Sequence, residues 1–213
     1  MSIIFRSYFF AGALLAVAAS ASASLVNGSF EDPALNPGGK MGFGNGQIMG
    51  SGWIADFGLP FIISNGNADS GVAWHNATDG VQFAYLATGV GLGSIHQDVS
   101  LVGGSSYTLS FDQADFGTQF GVPGGQLNFD VTNGTSVFGG PIFSATDPFS
   151  DFIHITKSFV APTTGVYSLV FTSVQLHAGI IDNVKLDADA VPEPASMAAL
   201  SLGVAALLRK RKK

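Results

Sequence analysis

The chain has 213 residues, no cysteine and only 11% charged residues, so a disulfide framework and thiolate metal sites are excluded. Five of the nine basic residues form the terminal run Arg209, Lys210, Arg211, Lys212 and Lys213, and a sixth is Arg6; between Ser24 and Ala190 only Lys40, Lys157 and Lys185 face fourteen acids, a net charge of −11. A body that acidic has no electrostatic grip on a phosphate backbone, which excludes nucleic acid as a partner, and 28 glycines with 18 phenylalanines argue against helical bundles.

Residues 1–23 read as a secretory signal peptide. Arg6 precedes an apolar run from Tyr8 to Ala19, followed by the small residues Ser20, Ala21, Ser22, Ala23 and Ser24. The run has the length of a signal-peptide core and is short for a membrane span. Ala21-Ser22-Ala23 fits an A-x-A cleavage site, with Ser24 the first mature residue. The alternative is an uncleaved N-terminal anchor, in which the small-residue stretch would have no role.

Residues 24–190 form a body large enough for one core. Strand-like runs are predicted at Leu25–Glu31, Phe61–Ser64, Val72–His75, Val81–Ala87, Ser94–Leu101, Ser106–Gln113, Gly125–Thr132, Ser136–Phe138, Phe152–Val160, Gly165–Val174 and Ile180–Leu186. Between them stand Gly, Asn, Asp and Pro. Tyr107, Leu109 and Phe111 share one face, Thr108, Ser110 and Asp112 the other. Leu127, Phe129 and Val131 alternate with Gln126, Asn128 and Asp130 in the same way, as do Tyr167, Leu169 and Phe171 with Ser168, Val170 and Thr172. A period of two predicts sheets with one wet face, hence an all-β antiparallel two-sheet sandwich. In Val81–Leu86 the parity leaves two choices: Phe83 and Tyr85 buried, or Ala84 and Leu86. The glycine-rich segment from Gly38 to Gly46 lacks the strand–loop–helix setting of a phosphate loop and reads as a flexible surface loop.

The body opens on Asn27-Gly28-Ser29-Phe30-Glu31, with Gly52-Trp53 about 20 residues on, then Gly80-Val81-Gln82-Phe83-Ala84-Tyr85-Leu86. Ser94-Ile95-His96-Gln97-Asp98-Val99 and Gly104-Ser105-Ser106-Tyr107-Thr108-Leu109-Ser110-Phe111 follow, and it closes on Gly179-Ile180-Ile181-Asp182-Asn183-Val184-Lys185-Leu186. This succession resembles the galactose-binding-like jelly rolls, which include carbohydrate-binding modules of bacterial glycanases. The resemblance runs from about residue 25 to 187. It implies a jelly roll whose first and last strands lie close together. It also implies a possible cofactor, a structural calcium between those strands. The acid after Asn-x-x-Phe and the Asp of Ile-Asp-Asn-Val would contribute to it, here Glu31 and Asp182. The alternation breaks across Asp182-Asn183, as a bulge would produce. Two acids capping strands without metal is the competing reading.

No catalytic constellation emerges. His75, His96, His154 and His177 have no metalloprotease spacing, and no serine stands in a nucleophile elbow. Asp112 and Asp115 are close in sequence, but glycosidase work needs a set separation across a cleft, so they read as solvated strand-end acids. Sugar recognition by stacking and hydroxyl readout has candidates in Trp74, His75, Gln82, Tyr85 and Gln113. Trp53 reads as core and Trp74 as the better ligand residue.

Residues 191–213 read Val191-Pro192-Glu193-Pro194, then apolar Ala195–Leu208, then five bases. Order and spacing resemble the PEP-CTERM sorting signal of Gram-negative bacteria. Two prolines stop preceding structure, the 14-residue run rises roughly 21 Å as a helix, and the bases hold that end cytoplasmic. The resemblance implies transient anchoring in the inner membrane. An exosortase-type membrane protease then processes the chain near Pro192, Glu193 and Pro194 and passes it to the cell surface or matrix. Two function classes follow: a non-catalytic surface protein that binds or organises extracellular polysaccharide, or a structural or adhesive envelope protein without a glycan site.

Overall fold

The computed structural model describes residues 23–68, 75–88, 91–115, 126–143, 151–174, 179–189 and 202. The compact body is Ala21–Asp189. Its strands are β1 Lys40–Gly42, β2 Ile48–Met49, β3 Trp53–Phe57, β4 Phe61–Ser64, β5 Gln82–Tyr85, β6 Ala87–Thr88 and β7 Gly91–Leu92. They continue as β8 Ser94–Leu101, β9 Ser106–Asp115, β10 Gln126–Thr132, β11 Ser136–Phe143, β12 Ile153–Val160, β13 Gly165–Ser173 and β14 Gly179–Ala188. One six-stranded sheet runs β1-β4-β5-β14-β9-β12, and the second runs β11-β10-β13-β8-β3-β2. Every described pairing is antiparallel. The body is therefore a two-sheet jelly-roll sandwich.

The alternating triplets face inward as the period predicts. Tyr107, Leu109, Phe111, Tyr167, Leu169 and Phe171 are fully buried, and Leu127, Phe129 and Val131 nearly so. The phenylalanine excess finds its use here. Phe30, Trp53, Phe171, Phe111, Phe129, Phe138, Phe159 and Tyr107 form a continuous series of ring contacts with centroids 4.9–6.1 Å apart. Tilted and edge-on pairs of this kind add roughly 0.5–1.5 kcal/mol each beyond their area burial. Trp53 is core, as expected, and its indole N–H donates to the Asn27 carbonyl at 3.0 Å.

Three expectations are corrected. Leu25–Glu31 is not a strand. Asn27 and Phe30 have φ of +51° and +57°, and the segment satisfies its main chain elsewhere. Val26 N–H donates to Gln97 Oε1 at 2.7 Å and the Val26 carbonyl accepts from Gln97 Nε2 at 2.9 Å. A side-chain amide thus does the work of a neighbouring strand. The glycine-rich segment is not wholly a loose loop, because its Lys40–Gly42 pairs with β4 as the sheet edge. In β5 both parities are buried: Ala84 and Leu86 face the main core, while Phe83 packs on the opposite side with Ile63, Ala114 and Ile180. The predicted run Val72–His75 falls mostly outside the described residues, and His75 itself is not in a strand.

Candidate ligand-binding face

The sheet β1-β4-β5-β14-β9-β12 has an outward face whose register sets two rows of side chains. Phe61 lies opposite Tyr85, Tyr85 opposite Ile180, and Ile180 opposite Ala114. The next row brings together Asp182, Asp112 and His154, through Asp182↔Asp112 and Asp112↔His154. The first row is apolar and aromatic, the second ionisable.

In the apolar row, Ile180 and Ala114 are buried while Phe61 and Tyr85 stay half-buried. The two rings sit 6.2 Å apart at 47°. The Lys40 ammonium stands 5.7 Å from the Phe61 centroid, a cation–π distance. Burial pushes the Tyr85 hydroxyl up to about 12. His75 is buried, edge-on to Phe152 at 5.9 Å, and Phe152 also meets Phe83 at 6.2 Å.

The ionisable row is tied to the segment 75–82. Asp182 is fully buried, and its Oδ2 accepts from the N–H groups of Thr78 at 2.6 Å and Asp79 at 2.9 Å. Its Oδ1 accepts from Asn183 N–H at 2.7 Å. Burial pushes Asp182 up to about 6, against the pull of those donors. Asp112 accepts from Thr78 Oγ1 at 2.7 Å and Asn183 Nδ2 at 2.9 Å, and pairs with His154 Nδ1 at 2.6 Å. Burial raises Asp112, but bonds from Thr78, Asn183 and His154, with the His154 charge, bring it below the usual carboxylate range. Asp112 is therefore not a solvated strand-end acid. The bulge is real: the register shifts between Asp182 and Lys185, and Asn183 has φ of +53°.

Tyr85 is the one proposed sugar residue that the described face presents half-exposed. Gln82 is 1% exposed and serves as a clamp: its Nε2 donates to the carbonyls of Phe30 at 2.6 Å and Pro33 at 3.0 Å, and its Oε1 accepts from Leu35 N–H at 2.5 Å. Both of its N–H groups are spent on these carbonyls, and the side chain is buried. Gln113 is fully buried, one position along β9 from outward-facing Asp112 and thus on the inner side, with no partner for either amide atom among the described residues. Sequence parity could have shown this, since Gln113 continues the inward series Tyr107, Leu109, Phe111. Trp74 lies outside the described residues. Phe61, which sequence reasoning passed over, is the missed member. Its signal is register, because it lies directly opposite Tyr85.

Glu31 and Asp182 hold opposite ends of one turn. Glu31 Oε1 accepts from Val81 and Gln82 N–H, both at 2.7 Å, as Asp182 accepts from Thr78 and Asp79. A calcium ion needs six to eight oxygens presenting free lone pairs. These carboxylates meet N–H donors, and among the described residues no group of three or more His, Asp or Glu side chains has the arrangement of a metal site. In this arrangement Glu31 Oε1 and both oxygens of Asp182 accept main-chain N–H groups.

Comparison with known proteins gives the two ends of the chain different weight. Residues 190–212 match the PEP-CTERM protein-sorting motif. The chain carries that motif and is thereby addressed for export through the membrane-anchored sorting route. Pro192, Glu193 and Pro194 fall inside the match but outside the described residues, as does nearly all of the apolar segment. Ala23, ahead of the expected leader cleavage, packs half-buried on the main core. No curated protein matches the sequence. Several carbohydrate-binding modules are similar in structure. TmCBM61, solved with β-1,4-galactotriose, is 14% identical with a TM-score of 0.46, covering 78% of this chain and 97% of that one. A CBM4 module is 18% identical with a TM-score of 0.43, covering 78% and 100%. The CBM22-1 xylan-binding domain of Xyn10C from Paenibacillus barcinonensis is 11% identical with a TM-score of 0.42, covering 74% and 97%.

Proposed function

We propose that the protein is an exported, non-catalytic surface protein whose body binds extracellular polysaccharide on the outward face of the β1-β4-β5-β14-β9-β12 sheet. The observation that carries this is the half-buried Phe61–Tyr85 pair, with its rings 6.2 Å apart on adjacent strands and Lys40 at its edge. Aromatic rings held at a sheet surface offer the apolar face of a sugar ring a place to stack. Processing by an exosortase-type protease and final residence at the cell surface follow from the sorting motif in this reading.

A neutral glycan should bind with little dependence on salt, because stacking exchanges no net charge. Titration of neutral polysaccharides into residues 24–190 by calorimetry tests this. Tyr85→Ala should weaken binding about tenfold, roughly 1.4 kcal/mol, measured at a temperature well below the lowered melting point that truncating a partly buried ring brings. Unchanged affinity in Tyr85→Ala and Phe61→Ala would remove the face from the site. A structural or adhesive role without a glycan is favoured by one observation, that His75, Gln82 and Gln113 are all buried. Absence of binding to every glycan tested would select it.

A further inference from the structure

The end of β14 lies at a distinctive tip of the sandwich. Asp189 donates its N–H to the Ser106 carbonyl at 2.9 Å, and its carboxylate accepts from Thr108 Oγ1 at 2.8 Å. Only Ala190 and Val191 separate this anchored residue from Pro192-Glu193-Pro194. The three Cα steps from Asp189 to Pro192 reach at most about 11 Å when fully extended. An enzyme acting at the triplet therefore works against the folded body.

That part of the body consists of the turns joining β8 to β9 and β12 to β13. From Leu101 to Ser106 and from Val160 to Val166 no residue is charged. Val160 and Val166 are 58% and 60% exposed, among the highest values for large apolar side chains in the described body. The two turns hold each other: Gly104 N–H donates to the Ala161 carbonyl at 2.8 Å, Ala161 N–H to Ser105 at 3.1 Å, and Gly103 N–H to Thr164 Oγ1 at 2.9 Å. Two buried tyrosines brace them from beneath. Val102 N–H donates to the Tyr107 hydroxyl at 2.7 Å, and the Tyr167 hydroxyl donates to the Thr163 carbonyl at 2.8 Å. The tip is thus preorganised, uncharged and partly apolar in a body of strong negative charge.

We propose that this tip, the turns 102–105 and 161–164 with Val160 and Val166, is the surface on which the processing protease seats the folded precursor. The proposal rests on the reading that the sorting motif is cut by an exosortase-type protease. A lipid surface fits less well. Anionic headgroups want lysine or arginine, the tip has neither, and the charges beside it are the acids Asp187 at the end of β14 and Asp189 just past it. A rigid patch free of charge is instead what the core of a protein–protein contact uses.

The experiment uses the full chain, leader and sorting segment included, in a host that carries the protease, with conversion followed by pulse–chase. Val160→Lys with Val166→Lys should slow processing about tenfold or more, because desolvating an unpaired charge in a contact is costly. Ile48→Lys, on the edge strand β2 and 67% exposed, should leave the rate unchanged. A flexible Gly/Ser spacer inserted after Asp189 should restore processing of the double variant, since the triplet then reaches the protease without the tip seated. Melting of each isolated body confirms that folding is intact. A double variant processed at the wild-type rate, or slowed no more than Ile48→Lys, would overturn the proposal. Failure of the spacer to restore processing would also overturn it, because the lysines would then act other than at the contact. A wild-type chain that is never cut would instead remove the protease reading itself.

Discussion

Replacing Gln82 by leucine separates two roles for this side chain. As a ligand residue it would be dispensable to the fold. As a clamp it holds three main-chain groups of the opening segment: the carbonyls of Phe30 and Pro33 and the N–H of Leu35. Leucine fills a similar volume but satisfies none of them. A buried polar group left unpaired costs about 1–3 kcal/mol. Phe30 is fully buried and bears the full penalty, while Pro33 and Leu35 are half-buried and water can replace part of what they lose. The sum is about 3–5 kcal/mol. For a body of this size each kcal/mol shifts melting by about 2–4 °C, so Gln82→Leu should melt roughly 10 °C lower. Circular dichroism melting at pH 7, on residues 24–190, gives the measurement. A variant melting within about 3 °C of wild type would refute the clamp, and more so if its glycan binding were lost.

Asp182→Asn tests the buried carboxyl. Because burial raises Asp182 from 3.8 to about 6, the folded state keeps a proton that the unfolded state releases. This contribution to stability is full below about pH 4 and falls by about 3 kcal/mol as pH rises to about 6. Asp112, with its lowered value, acts in the opposite sense, its contribution being lost as pH falls below the ordinary carboxylate range. Urea midpoints across this window should show the Asp182 fall in wild type and not in Asp182→Asn; identical profiles would contradict the assignment. Chelator should leave melting at pH 7 unchanged, since N–H donors already occupy Glu31 and Asp182. A drop of several degrees reversed by calcium would place an ion between them. Gly50→Ala should be among the most damaging small substitutions. Gly50 has φ of +67°, and an added Cβ would lie 1.7 Å from the Asp32 carbonyl oxygen. A loss of about 3 kcal/mol or more in urea unfolding is expected, and a loss below about 1 kcal/mol would show that the turn can move aside.

What the sequence determined by itself is what depends on linear order or on period. The sorting signal is read along the chain, so Pro192-Glu193-Pro194, an apolar run and a basic end identify it without any fold. Strands such as β9, β10 and β13 declare their inner faces because alternate side chains point to opposite sides, and Tyr107, Phe129 and Phe171 are buried accordingly. The bulge at Asp182-Asn183 showed as a break in that alternation. Tertiary structure alone decided the fate of the polar and aromatic candidates. Gln82 and Gln97 look like surface amides in sequence, yet both hold the main chain of an opening segment some fifty to seventy residues away. The parity of β5 was undecidable because the second sheet covers one of its faces while Ala77 and Phe152 from distant loops cover Phe83 on the other. Phe61 and Tyr85 became a pair only through the β4–β5 register, and Asp112, His154 and Asp182 became a row only through β9, β12 and β14. Local pattern records which side of a strand is apolar, whereas which groups meet across strands is set by pairing between segments far apart in the chain.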